Sequence, residues 1–239
     1  MAKHSWKKIL NQLVDATAGM VFTPPVSHVY NPLTYARAAH MRYCDTYGRP
    51  DKEVILLGMN PGPWGMVQTG VPFGDCQMVT DWLKIRTVIR QPGQVHPKRP
   101  VQGFQCRRSE VSGHRLWGWA RGRFKTPQHF FQRFWVANYC PLAFMEAGGR
   151  NRTPDKLPGP EKEPLFAACD RALVQTIERM NPRYVIGVGR FAAQQAEKAL
   201  SAFDVTVGCI THPSPANPKA NRDWAGVIEK ELADMGIRF

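Results

Sequence analysis

Cysteine is sparse and scattered in this chain, with six thiols at Cys44, Cys76, Cys106, Cys140, Cys169 and Cys209. No Cys-x-x-Cys pair and no cysteine–histidine cluster occurs, so the spacings that zinc and iron–sulfur centres need are missing. No metal and no cofactor is therefore expected, and the thiols read as core or incidental groups. No apolar run approaches the roughly 20 residues that cross a bilayer. The N-terminus has neither the apolar stretch nor the small-residue cleavage site of a secretory signal, which points to a soluble intracellular protein. The P-loop, the dinucleotide fingerprint, the metalloprotease helix and the nucleophile elbow are all absent. Acid is the other shortage: 19 Asp and Glu stand against 32 Lys and Arg, a formal charge of +13. Such an excess calls for an anionic partner, with nucleic acid first and a membrane surface as the competitor.

What is present suits a folded α/β domain. The 239 residues are 43% hydrophobic, enough for a sizeable core, and residues 1–239 are read as one domain. Periodicity predicts helices over 5–20 (Ile9, Leu10, Leu13 and Val14 on one face), 32–47, about 75–90, 164–180, 190–202 and 217–236. Strands are predicted at 54–59, 134–136, 184–188 and 205–210, while 91–125 is punctuated by Gly and Pro and poorly periodic. Alternating strands and helices imply three α/β/α layers around a mainly parallel four-stranded sheet.

Two rigid segments directly follow predicted strands. Gly58-Met59-Asn60-Pro61-Gly62-Pro63-Trp64-Gly65-Met66 comes after Val54–Leu57, and Thr211-His212-Pro213-Ser214-Pro215 comes after 205–210. In a parallel sheet, ligands are held at the carboxyl ends of the strands. Asn60 and His212, over 150 positions apart in sequence, can thus meet in one crevice. Taken singly, Asn60 before Pro61 is a turn residue, His212 a helix-entry or turn residue, and Phe73 a core aromatic.

The run GMNPGPWGMVQTGVPFGD at 58–75 resembles the first motif of the single-strand-selective monofunctional uracil-DNA glycosylases. Asn138-Tyr139-Cys140-Pro141-Leu142 and His212-Pro213-Ser214-Pro215 resemble that family's other two signatures. Glu110-Val111-Ser112-Gly113 and Gly149-Arg150-Asn151 match as well, so the likeness runs over most of the chain, in order. It implies a uracil-DNA glycosylase-like fold and hydrolysis of the N-glycosidic bond of uracil in single- and double-stranded DNA, with 5-hydroxymethyluracil as a further substrate. A monofunctional enzyme leaves an abasic site, and no active-site lysine is supplied for a lyase step. A monomer is expected, in the cytoplasm with the nucleoid of a bacterium or in the nucleus of a eukaryote.

The roles follow residue by residue from the resemblance. His212 is placed to donate to uracil O2 as negative charge builds on the departing base. Asn60 is placed to orient the attacking water, since an amide can direct water without being a strong base. Asn138 reads the base: its amide can accept from N3–H and donate to O4, the reverse of what cytosine requires. Phe73 stacks on the flipped base, Gly62 leaves room near C5, and Met59 and Met66 line the wall. Nine basic residues between 90 and 125 (Arg90, Lys98, Arg99, Arg107, Arg108, Arg115, Arg121, Arg123, Lys125) face one acid, Glu110, a net +8. Trp117 and Trp119 are interleaved with them, and phosphate contact is the expected use. Loop 213–221, with Pro213, Ser214, Pro215, Ala216, Asn217 and Lys219, is the expected wedge on DNA. Ala216 departs from the family pattern, which has Arg there. A non-catalytic sensor of damaged or single-stranded DNA and a free-nucleoside hydrolase stay open. The basic stretch speaks against the second, and an intact Asn60 against the first.

Overall fold

The structure, a computed structural model, describes residues 4–239. Helix α1 (Trp6–Thr17) leads to strand β1 (Val26–Tyr30), the short α2 (Pro32–Tyr35), α3 (Arg37–Tyr47) and β2 (Val54–Gly58). Two short helices follow, α4 (Met66–Thr69) and α5 (Cys76–Asp81), then α6 (Val111–Phe124), α7 (Pro127–Arg133) and β3 (Phe134–Asn138). The chain continues through β4 (Ala143–Glu146), β5 (Asn151–Arg152), α8 (Gly159–Met180), β6 (Tyr184–Val188), α9 (Arg190–Ala199), β7 (Thr206–Ile210) and α10 (Ala220–Asp234).

Four strands form an all-parallel sheet in the order β3-β2-β6-β7. Adjacent side chains on a strand point to opposite faces, and β3 shows how both faces are covered. Trp135 stacks on Trp6 of α1 and Tyr43 of α3, with centroids 5.1 and 4.4 Å apart. Its neighbour Phe134 packs the other way, against Phe130 of α7 and Trp119 of α6. Helix α8 lies on α1 and α9, and α10 lies on α6 and β7. The three-layer α/β/α expectation holds.

Several local expectations change. The helix expected over 75–90 stops at Asp81, because Lys84 takes a left-handed φ of 55° and the chain leaves the helical path. Met78, Trp82 and Ile85 are still buried, so the apolar spacing is genuine although a turn delivers it. Helix α6 fills part of the stretch that looked aperiodic. Its glycines hide the period: Gly113 lies so close to the Phe73 carbonyl that any Cβ there would overlap it. Helix α8 begins five residues before the expected 164, with Pro160 in its first turn and Pro164 inside it. The predicted helix over 32–47 is broken at Ala36. A second, antiparallel sheet, β1-β4-β5, was not expected. Its strands run only two to five residues.

Candidate active site

The site is built on the carboxyl end of the parallel sheet. Gly58 and Asn138, the last residues of β2 and β3, are direct register partners. The ladder extends beyond them: Tyr139 N–H donates to Gly58 O (2.9 Å) and Cys140 N–H to Met59 O (2.8 Å). The first motif and the Asn138 segment are thus zipped side by side. The Asn60 amide donates from Nδ2 to Leu142 O at 3.1 Å. That bond commits its donor end and leaves Oδ1 as the acceptor for a ligand.

The loop after β2 folds back through α4 to Phe73. Phe73 sits at a left-handed φ of 53°, a conformation a non-glycine residue keeps only when its surroundings hold it there. Here Thr69 Oγ1 donates to Gly74 O at 3.0 Å, and the close approach of Gly113 buttresses the Phe73 carbonyl. Further back, the buried His40 donates from Nδ1 to Gly70 O at 2.7 Å. Burial lowers the His40 pKa to about 4, so it holds this turn as a neutral ring.

His212 arrives from β7 at the opposite edge of the sheet. Thr211 just before it is pinned twice by the Glu231 carboxylate of α10, through its N–H (2.7 Å) and its hydroxyl (2.6 Å). Trp224 Nε1 donates to Thr211 O at 2.8 Å. The His212 Nδ1 accepts from Ser214 N–H at 3.1 Å. With Nδ1 used as an acceptor, a neutral ring carries its proton on Nε2. Burial also pushes the His212 pKa below the usual imidazole value. The ring is therefore set up as a neutral Nε2–H donor.

These side chains share one cavity of about 390 Å³, lined by Met59, Asn60, Gly62, Met66, Phe73, Asn138, His212 and Ser214 among others. The Phe73 and His212 rings stand 6.5 Å apart. Asn138 Nδ2 lies 3.3 Å from Met66 Sδ, a weak acceptor that a better one can replace. In contrast to the sequence reading, the space beside Gly62 is filled. A Cβ on Gly62 would overlap the Glu110 carboxylate, and one on Gly65 would lie 2.9 Å from Glu110 Cγ. Glu110, Ser112, Asn151 and Thr153 also line the cavity. They fall in or next to the Glu110–Gly113 and Gly149–Asn151 stretches, where only a match, and no chemistry, marked them. Among the described residues no group of three or more His, Cys, Asp or Glu is placed to hold a metal ion.

The rest of the predicted DNA surface divides. Pro215, Ala216 and Lys219 are exposed on the crest of the loop, where Asn217 Nδ2 braces it by donating to His212 O at 3.3 Å. Pro213 is buried, and its carbonyl accepts from Arg115 at 2.9 Å. Arg115 also donates to Asn221 Oδ1 at 3.0 Å, so this arginine braces the loop. Trp117 and Trp119, expected among the basic residues at the surface, are core side chains at 0% and 5% exposure. Trp64 instead meets two arginines of this stretch, Arg99 and Arg108, at 5.2 and 4.6 Å from its ring centre.

The uracil DNA glycosylase superfamily matches residues 46–232 of the chain. Single-strand-selective monofunctional uracil-DNA glycosylase of Rattus norvegicus is 46% identical over 218 residues, covering 90% of this chain and 78% of the relative. The protein so named from Bos taurus is 44% identical over 228 residues, covering 95% and 84%. The chain belongs to this family. The crystal structure of wild-type Pedobacter heparinus SMUG2 shares the fold, with a TM-score of 0.65 at 14% identity over 95% of this chain and 97% of that one. The resemblance drawn from five stretches in order thus extends along nearly the whole sequence.

Proposed function

We propose that this chain hydrolyses the N-glycosidic bond between uracil and deoxyribose in DNA and leaves an abasic site. The observation that carries the reading is the His212 ring: held by Ser214 at Nδ1, so that a neutral ring keeps its proton on Nε2, and lining a cavity that Asn60 and Asn138 also line. As the bond from N1 to C1′ breaks, its electron pair leaves with the base and charge spreads onto O2. A fixed donor at O2 strengthens as that charge grows, which is the condition for lowering the barrier. Asn60 Oδ1 accepts a hydrogen bond from a water whose oxygen then bonds to C1′, and the proton that water sheds passes through solvent to neutralise the departing uracil anion. Asn138 discriminates uracil from cytosine because the wrong base would leave both ends of a confined amide unpaired. Phe73 supplies a stacking face worth about 1–3 kcal/mol per base.

The exposed basic residues of 90–125, including Arg107 and Arg108, serve as phosphate contacts, on single strands and duplexes alike. 5-Hydroxymethyluracil is a second substrate, and the enzyme acts as a monomer. A sensor without catalysis has no use for a water-directing amide, so Asn60 favours hydrolysis. The test is incubation of the purified protein, with EDTA present, with a uracil-containing oligonucleotide, followed by alkaline cleavage and sizing. Cleavage at the uracil position supports the reading. An uncut oligonucleotide that is nevertheless bound would leave the sensor.

A further inference from the structure

Among the described residues, Glu110 is the one carboxyl group lining the cavity. Its backbone N–H donates to Asp75 Oδ2 at 3.0 Å, and Ser109 Oγ donates to that oxygen at 2.8 Å. Asp75 in turn caps α5 by accepting from Met78 N–H at 3.2 Å. The backbone of Glu110 is thereby fixed, and its side chain is laid against the Gly62–Gly65 turn. The carboxyl takes up the volume that a side chain on residue 62 would use. Burial and the neighbouring Asp75 raise its pKa, and a hydrogen bond from the Ser112 backbone opposes them. The site keeps a strongly polar acceptor where an apolar wall would be simpler to build.

The geometry of Asn138 tells which edge of the base meets this carboxyl. Its donor Nδ2 is on the Met66 side, 3.3 Å from Sδ, whereas Oδ1 is beside Gly58. A uracil read by this amide places N3–H at Oδ1 and O4 at Nδ2. C5 follows C4 around the ring, so the C5 edge faces the Gly62–Met66 turn and the Glu110 carboxyl behind it. O2 then falls on the other side of N3, away from Glu110.

We propose that Glu110 is a specificity-determining residue, the acceptor that selects what is attached to C5 of the excised pyrimidine; this rests on the uracil-excising reading above. A C5 substituent that ends in a hydroxyl donates to the carboxyl and satisfies it. A methyl group at the same place covers a carboxyl oxygen without bonding to it, and shutting a polar oxygen off from water without a partner is penalised far more than a small loss of contact. Gly62 and Glu110 act as one device: the glycine lets the carboxyl lie against the turn, and the carboxyl decides which C5 substituent is accepted against it.

The experiment compares single-turnover excision of uracil, 5-hydroxymethyluracil and thymine from one single-stranded sequence. The proteins are the wild type, Glu110→Ala, Glu110→Gln and Glu110→Leu. Because Asp75 is bonded to the backbone of residue 110, all variants keep those anchors. Glu110→Ala is expected to lower the hydroxymethyluracil-to-uracil ratio, and to raise the thymine-to-uracil ratio, each by about tenfold or more. Glu110→Gln keeps the size and one acceptor oxygen, so both ratios should stay within about threefold of wild type. Glu110→Leu fills the space without an acceptor, and should lower the hydroxymethyluracil ratio while thymine stays excluded. If the alanine variant failed to fold, the glutamine and leucine pair would still decide. Unchanged ratios in both Ala and Leu would reduce Glu110 to a structural residue and overturn the proposal, as would a Gln variant that loses selection as fully as Ala. Wild type that releases no uracil would overturn the functional reading and the proposal with it. Uracil release with flat ratios would overturn the proposal alone.

Discussion

Adding one methyl group at Gly58 should disable the site while leaving the fold in place. A Cβ on Gly58 would overlap Asn138 Oδ1 and lie 2.6 and 2.7 Å from Phe73 Cε2 and Cζ. Ordinary contact begins near 3.4 Å, so each partner must retreat by about 0.7–1 Å in Gly58→Ala. Displacing a reacting group by about 1 Å can cost on the order of 100-fold in rate, and here the base reader and the stacking ring move together. Overpacking should also cost about 1–3 kcal/mol of stability. For a chain of this size that corresponds to a fall in Tm of roughly 2–12 °C. Because the φ of Gly58 is not positive, the backbone itself tolerates alanine. Single-turnover uracil excision at saturating enzyme, paired with a thermal melt, measures both effects. A rate within threefold of wild type would show that Asn138 and Phe73 need not hold these positions, and the assignment of both would fall.

His212→Ala should lower single-turnover excision by on the order of 10²–10³-fold, the loss of one fixed donor. Since burial lowers the His212 pKa, its ring stays neutral at pH 7. Activity should decline only as pH drops below the usual histidine value, when a proton on Nδ1 would oppose the Ser214 N–H; a decline centred above pH 7 would contradict this. Asn60→Ala should remove most turnover yet keep affinity for uracil-containing DNA, as titration with a labelled oligonucleotide would show; an unchanged single-turnover rate moves the water-orienting role elsewhere. Ala216 should make wild type faster on single strands and G·U mispairs than on A·U pairs, because a methyl group holds open little of the gap left by a flipped base. Ala216→Arg should raise the A·U rate more than the single-strand rate, and equal gains with strong salt dependence would mean mere phosphate attraction.

The parallel sheet was legible in sequence because its strands are continuous apolar runs, each followed by a helix or a rigid loop. β2 and β6 are buried along their full length, which is the pattern such strands must show. Asn60, Asn138 and His212 end or follow strands, where strand order alone can bring them together, but their roles, and the place of Phe73 in the loop beyond α4, came from the resemblance. Glu110 was given a role by neither. It comes from a loop 50 residues after Asn60 and fills a space that a glycine left, so complementarity between two distant positions was required to see it. The two tryptophans of α6 misled because charge alternates around them while their own helical face turns inward. The small antiparallel sheet was missed because β4 and β5 run only four and two residues and β1 (Val26-Ser27-His28-Val29-Tyr30) is not a continuous apolar run.

The order β3-β2-β6-β7 has a further consequence for how this protein comes into being. Asn138 ends one edge strand, His212 follows the other, and Asn60 follows β2 next to the first edge. The working groups therefore straddle three strand spacings, about 14 Å of sheet. The site draws on residues from Met59 to Ser214, and no two neighbouring strands can assemble it. During folding, the last pairing to close completes the pocket, and long-range parallel pairings are slow to close. Release of uracil is thus a readout of the finished sheet: under denaturant, activity should vanish with the first strand to detach, at or before the global transition and never after it.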